Sequence, residues 1–99
     1  MTPEQLIIVD LNGKVLPPTA PGLKPTSELL MHLEAYKHRA DVMGVVHAHP
    51  ITAVALTIVG VPLTDCIIPE SVVILGPIPT TPYANPASAE NQAAISDLI

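Results

Sequence analysis

Proline sets the strongest limit on how this chain can fold, because it fixes φ and removes a backbone hydrogen-bond donor. The chain has 12 prolines in 99 residues, and most of them lie in two stretches, residues 17–25 and 76–86. The first stretch excludes regular structure. The second allows at most an extended segment, with Ile78–Thr81 as an edge strand. Helices and central strands must therefore lie outside these stretches.

Three further segments have strand character. Residues 5–16 predict a β-hairpin, because a β-branched run is followed by Asn12-Gly13, a pair typical of type I′ turns. Val42–His49 is largely apolar, as a buried central strand is. Ser71–Leu75 has the same character and predicts another strand.

Three segments predict helices. Thr26 or Ser27 can cap a helix that runs to about Arg39. Its apolar residues fall at helical spacing: Leu29, Leu33, Tyr36 and Ala40. Residues 51–59 predict a second helix, which begins after Pro50 and stops at Gly60. A third helix starts at residue 88 or 89. The order of these elements predicts an α/β fold with helices packed on a mixed sheet.

Composition argues against two classes of partner. Four Lys and Arg against nine Asp and Glu give a net charge of −5, which suits neither nucleic acid nor an anionic membrane. The single cysteine, Cys66, cannot form an internal disulfide and is expected to be a small buried residue. The uncharged run Val42–Thr64 contains prolines and histidines and is a poor membrane span. We expect a cytoplasmic protein.

His47 and His49 form the motif that points most directly to chemistry. Residues i and i+2 of a strand share a face, so the two imidazoles are predicted to project the same way. Neutral imidazole is a common metal ligand, and two rings on one face can converge on a single ion. Two ordinary histidines at a strand end, one bonded to backbone and one solvated, explain the motif equally well.

Further candidates lie on the helix that precedes this strand. Glu28 is near the helix start, where the helix dipole favours a carboxylate. Thr26 and Ser27 offer hydroxyls and backbone N–H groups that can hold a phosphate, although helix capping explains them as well. His32 suits a core position or a supporting role, and His38 suits a solvated cation near the helix end.

Four motifs in register resemble the class II aldolase/adducin family, and the resemblance covers nearly the whole chain. They are Lys24-Pro25-Thr26-Ser27-Glu28, Met31–Tyr36, Asp41–His49 and Pro82-Tyr83-Ala84. The resemblance implies α/β/α layers around a mixed, largely antiparallel sheet. It also implies that residues 1–99 are a partial domain, without the N-terminal and C-terminal portions of the family domain.

The resemblance assigns roles to five of the candidate residues. It implies that His47 and His49 bind zinc or another divalent cation, that Glu28 is the acid/base, and that Thr26 and Ser27 bind the substrate phosphate. The implied reaction is retro-aldol cleavage of a sugar phosphate through a metal-stabilised enediolate. The family's third metal histidine would lie beyond residue 99, so we expect this chain alone to bind zinc weakly and to be inactive.

Two alternatives to an aldolase remain open. One is an epimerase of the same family, although glutamate at position 28 favours the aldolases. The other is a non-catalytic, adducin-like scaffold or oligomerisation module. The presence of His47 and His49 together with Glu28 favours an enzyme. Family members are usually homotetramers, so a sugar phosphate and further copies of the chain are the expected partners.

Overall fold

The computed structural model describes residues 1–64 and 68–99, and the expected burial of Cys66 lies outside them. The described residues form four α-helices, a short 3-10 helix at Pro3–Gln5 and a two-stranded antiparallel sheet. This mixture confirms the predicted α/β class. The layering around a larger sheet and the partial domain stay predictions.

The chain divides into two compact units, which are described separately. The first unit combines Met1–Val45 with Tyr83–Ile99, and the second is Val46–Pro82. In the first unit, β1 (Ile8–Val9) pairs with β2 (Val15–Leu16), which confirms the predicted hairpin. The paired residues are Ile8 with Leu16 and Val9 with Val15.

The predicted type I′ turn of this hairpin is wrong. Asp10 N–H donates to the carbonyl of Lys14 at 3.0 Å, which leaves a three-residue connection instead of a two-residue one. The Asp10 carboxylate explains the wider loop, because its Oδ1 accepts the N–H groups of Asn12 and Lys14, each at 2.9 Å. Gly13 is the residue of this turn that has a positive φ, 80°.

The first predicted helix is confirmed as α1, Leu29–His38, with Glu28 at its N-cap. Its buried face differs from the predicted stripe. Leu33 is only 4% exposed and Glu34 only 7%, whereas Tyr36 and Ala40 are exposed. The turn of the hairpin lies over this helix, since a Cβ added at Gly13 would lie 3.4 Å from Leu33 Cδ1.

The last predicted helix is also confirmed, as α4, Ala89–Ser96. Ser88 caps it, because the Ser88 hydroxyl accepts the N–H of Asn91 at 3.1 Å. α4 packs against α1. Side chains of Gln92 and Ser96 reach the Glu34 carboxylate on α1, so a polar group lies at the centre of this helix pair.

The second unit contains one predicted helix and one that was not predicted. α2, Ile51–Ile58, begins directly after Pro50 and ends before Gly60, as predicted. α3, Pro69–Ile74, replaces the predicted strand Ser71–Leu75. A short apolar run does not distinguish a strand from a helix, and Pro69 at the first helical position starts a helix instead.

Two other predicted strands are wrong. Neither Val42–His49 nor Ile78–Thr81 is a β-strand, and the only sheet in the part of the chain that the structure describes is the hairpin. A strand exists only where a neighbour pairs with its backbone N–H and C=O groups. Apolar content alone does not provide that neighbour. Among the described residues, no helix is long and apolar enough to cross a bilayer.

Candidate functional site

His47 and His49 contact each other in the second unit. Their Nε2 atoms lie 2.6 Å apart, their ring centroids are 4.7 Å apart, and the rings are inclined at 43°. Both residues are exposed. The two side chains converge as the i and i+2 spacing predicted, although their segment is not part of a sheet.

This contact suits a pair of metal ligands. Two imidazole nitrogens can face each other only when a proton, or a cation in its place, lies between their lone pairs. Zn–N bonds of about 2.0–2.1 Å set two tetrahedral ligand nitrogens about 3.3 Å apart, so the rings would separate slightly around zinc. No set of three or more His, Cys, Asp or Glu side chains within residues 1–64 and 68–99 is arranged to hold a metal. At 2.6 Å the contact has the length of an N–H···N hydrogen bond, so His47 and His49 are two candidate ligands that would have to move apart to bind a cation.

An open apolar hollow lies beside His49. It has a volume of about 320 Å³ and is lined, besides His49, by side chains of α2: Ile51, Val54, Ala55 and Ile58. Ile51 and Ile58 are 87% and 79% exposed. The second unit thus presents its histidine pair next to a helix face that none of its described residues covers.

Glu28 lies at the start of α1 in the first unit and is half-buried. Its backbone N–H donates to Thr26 Oγ1 at 3.3 Å, and its carbonyl accepts the N–H of Met31 at 3.1 Å. Its carboxylate Oε2 accepts a hydrogen bond from Asn91 Nδ2 at 3.2 Å. The carboxylate is thereby attached to α4 as well as to α1.

Thr26 and Ser27 are both exposed and come directly before Glu28. The Thr26 carbonyl accepts the N–H of Leu29 at 3.2 Å, which makes the turn that leads into α1. Both hydroxyl residues therefore lie at the helix N-terminus, where the backbone partial charge is positive. Thr26 and Ser27 are thus exposed next to Glu28, and their binding of an anion stays a prediction.

Glu34 is a polar residue that the sequence analysis missed. Its carboxylate accepts hydrogen bonds from Gln92 at 2.5 Å and from Ser96 at 2.6 Å. The Gln92 amide and then the Ser96 hydroxyl hold the pKa of Glu34 below its ordinary value, against the effect of burial, with the nearby His38 and Lys37 adding to the lowering. His38 Nε2 lies 3.1 Å from Oε1. His38 is half-exposed, but it is paired with Glu34 and not simply solvated as predicted.

Asn91 is the second residue that was missed. It contacts both Glu28 and Met31, from a helix that follows 63 residues later in the chain. A sequence signal existed for only one of these two residues. Glu34 and His38 have the i, i+4 spacing of an ion pair on one helix face.

Comparison with known proteins places the chain in a family. Its whole length, residues 1–99, matches the family described as Class II Aldolase and Adducin N-terminal domain. The chain belongs to the class II aldolase and adducin family. The resemblance carried by the four sequence motifs is thereby confirmed. No solved structure matches the chain at a significant level.

Several curated members of the class II aldolase and adducin family are similar to the chain. An L-fuculose phosphate aldolase of Methanococcus maripaludis is 31% identical over 99 residues, which are 100% of this chain and 52% of the relative. A 5-methylthioribulose-1-phosphate/5-deoxyribulose-1-phosphate aldolase of Escherichia coli is 41% identical over 59% of this chain and 25% of its own length. A methylthioribulose-1-phosphate dehydratase of Granulibacter bethesdensis is 38% identical over 52% of this chain and 23% of its own length. The chain spans about half the length of the L-fuculose phosphate aldolases that it matches.

Proposed function

We propose that this chain carries the metal-binding and acid/base residues of a zinc-dependent lyase that cleaves a sugar phosphate by a retro-aldol reaction. The observation that carries the proposal is the approach of His47 Nε2 to His49 Nε2, at 2.6 Å. Two exposed imidazoles with converging nitrogens are a donor set for a divalent cation. The names of the relatives, which specify fuculose and ribulose phosphates, support a phosphorylated ketose as the substrate.

Different residues of the chain would bind the cation and the substrate phosphate. A bound divalent cation would supply a Lewis acid that draws electron density from the ketose carbonyl. His47 and His49 would hold that cation as neutral imidazoles. Thr26 and Ser27 would hold the substrate phosphate with their hydroxyls and the N-terminal N–H groups of α1.

Glu28 would move the proton. Its carboxylate accepts the proton of the hydroxyl next to the C–C bond that breaks, and that hydroxyl oxygen becomes the carbonyl oxygen of the aldehyde product. The electron pair of the broken bond stays on the ketose fragment, which later takes up a proton. Glu28 suits this role because it is half-buried and held at two points, through its own N–H and through Oε2.

Isothermal titration of the 99-residue chain with zinc tests the metal site. We expect one saturable site, and His47→Ala and His49→Ala should each weaken it by about ten-fold or more, because each removes one of two direct ligands. His38→Gln is the matched control, since it removes a histidine from α1 but keeps a side-chain amide donor for Glu34. Equal loss in all three variants would mean that zinc binds histidines indiscriminately, and would contradict the site.

A kinetic assay tests the reaction. For the protein encoded by the complete reading frame around this chain, we expect cleavage of L-fuculose phosphate or a related ketose phosphate. Glu28→Gln should reduce kcat by about 10²–10⁴-fold, as loss of a general base does. For the 99-residue chain alone we expect no turnover, because two histidines do not complete a catalytic zinc site. Saturable cleavage by this chain, abolished by His49→Ala, would contradict that expectation.

The exposed face of α2 favours self-association as a second property. Ile51 and Ile58 are mostly exposed, and apolar surface of this kind gains free energy when it is covered. We propose that copies of the chain associate, in the complete protein as a homotetramer. Light scattering at several concentrations measures this, and the double variant Ile51→Gln/Ile58→Gln should shift the population towards smaller species. A monomer at every concentration would refute it.

A further inference from the structure

Hydrogen bonds hold both the backbone and the side chain of Asn91. Its backbone N–H donates to the Ser88 hydroxyl at the start of α4, at 3.1 Å. Its side-chain Nδ2 lies 3.2 Å from Glu28 Oε2 and 3.1 Å from Met31 Sδ, both on the α1 side of the helix pair. A carboxylate can only accept, so the nitrogen of the amide must be the atom that faces Glu28.

The neighbouring residue keeps α4 in this register. Gln92 donates to Glu34, and Ser96, one helical turn later, donates to the same carboxylate. Glu28, Met31 and Glu34 recur at a spacing of three along α1 and therefore share the side that meets α4. A rotation or a slide of α4 would therefore disturb the bonds to Glu34 as well as the bond between Asn91 and Glu28.

From this geometry we infer that Asn91 is the positioning residue for Glu28: its amide holds Oε2 and leaves Oε1 as the atom that takes and returns the substrate proton. The inference rests on the proposed function, in which Glu28 is the acid/base. An amide suits the task because it donates a hydrogen bond without having a proton that titrates with the substrate's. A carboxylate locked in one orientation loses less entropy when it meets the reacting hydroxyl.

The test uses steady-state kinetics of the protein from the complete reading frame, together with a melting curve for each variant. Asn91→Asp keeps the shape of the side chain but replaces the donor with a second carboxylate. We expect kcat to fall by about ten-fold or more with KM within two-fold, because substrate binding by Thr26 and Ser27 is retained while the base is misplaced. Asn91→Gln keeps the amide and should recover part of the lost rate. Asn85→Asp is the matched control and should leave kcat unchanged.

Each outcome is decisive. If Asn91→Asp does not fold, Asn91→Ala carries the same test, because it removes the donor without adding charge. An active wild type with unchanged kcat in the Asn91 variants overturns the positioning role alone. A wild type that cleaves no ketose phosphate overturns the proposed function and, with it, this role. A loss of kcat that Asn91→Gln does not relieve at all also overturns the inference, because the amide donor would then be irrelevant.

Discussion

Gln92 donates a hydrogen bond of 2.5 Å to Glu34, a carboxylate 58 residues earlier in the chain. The bond joins α4 to α1 and places a charged group beside the most buried apolar residue, Leu33. A buried carboxylate is tolerated only when it is hydrogen-bonded. Glu34 meets this condition through its contacts with Gln92, Ser96 and His38. This polar cluster therefore holds α4 against α1 by specific hydrogen bonds.

Replacing Glu34 should destabilise the first unit. Glu34→Gln removes the charge and replaces one of the two acceptor oxygens with an NH₂ group, so either Gln92 or Ser96 loses the acceptor of its hydrogen bond. We expect the melting temperature to fall by about 5 °C or more, measured by circular dichroism. Glu90→Gln changes an exposed glutamate on α4 and is the control, with little expected change. Equal melting temperatures for wild type and Glu34→Gln would show that the hydrogen bonds to Glu34 do not stabilise the pair of α1 and α4.

The stability of the chain should fall in acid. The pKa of Glu34 lies below its ordinary value of 4.5, chiefly because Gln92 donates to it, so its contribution is fully present above pH 4.5. That contribution is lost as the pH falls through the lowered pKa. Asp41 behaves likewise, since the side chain of Arg39 lowers its pKa from 3.8 to about 2.

Melting curves between pH 7 and pH 2 measure this dependence. Glu34→Gln should flatten the decline just below pH 4.5, and Asp41→Asn should flatten only the part between 3.8 and about 2. Added salt should weaken the Asp41 part more, because the pair of Arg39 and Asp41 is exposed. A decline that is identical in wild type and Glu34→Gln would show that other groups cause it.

The hairpin turn should require glycine at position 13. Gly13 has φ of 80°, a conformation that costs other residues about 1–2 kcal/mol, so Gly13→Ala should lower the free energy of unfolding by about that amount. Space is not the cause, because an added Cβ would meet Leu29 and Leu33 at ordinary contact distances. Gly13→Asn should cost less, since asparagine tolerates positive φ.

Urea unfolding of Gly13→Ala and of a matched variant, Gly44→Ala, provides the measurement. Gly44 has no positive φ and no neighbouring atom within 4 Å of an added Cβ, so its replacement should change the free energy of unfolding by less than about 0.5 kcal/mol. Equal costs at the two positions would mean that the turn geometry is not responsible.

Thr26 should stabilise the start of α1 in addition to its proposed part in the anion site, whereas Ser27 should act in phosphate binding alone. Thr26→Val removes the oxygen that accepts the Glu28 N–H at 3.3 Å and should cost about 0.5 kcal/mol of stability. Ser27→Ala should leave stability nearly unchanged but weaken inorganic phosphate binding, followed by NMR titration, by about three-fold or more. Ser71→Ala is the control. Phosphate affinity unaffected by Ser27→Ala would exclude this residue from the anion site.

Among the described residues, local signals predicted three of the four helices and the hairpin, although not its turn type. Pro50 precedes α2 and Ser88 caps α4, and each of these signals acts within a few residues. The predicted cap of α1 by Thr26 or Ser27 is wrong, because the N-cap is Glu28 and its side chain makes no capping bond. Val42–His49 and Ser71–Leu75 were assigned wrongly for one shared reason. Whether an apolar β-branched run becomes a strand depends on a neighbouring strand that lies elsewhere in the chain, and the run itself does not encode it.

In the candidate site, too, only contacts between residues close in sequence could be predicted. The contact between His47 and His49 followed from a spacing of two residues, and the grouping of Thr26, Ser27 and Glu28 followed from their adjacency. Asn91 could not be matched to Glu28 from sequence, because their contact depends on how α4 packs against α1, across 63 intervening positions. Only the packed helix pair reveals which amide meets which carboxylate.

The first unit is built from two separate stretches of chain, Met1–Val45 and Tyr83–Ile99. A single cut anywhere within Val46–Pro82 would therefore turn it into a complex of two peptides. Such a complex would persist through the contacts between the two stretches, among them the bonds from Gln92 and Ser96 to Glu34, from Asn91 to Glu28 and from Arg39 to the Ile99 carbonyl. The two peptides would then behave as a split protein. Their affinity for each other would measure how strongly α1 and α4 are held together.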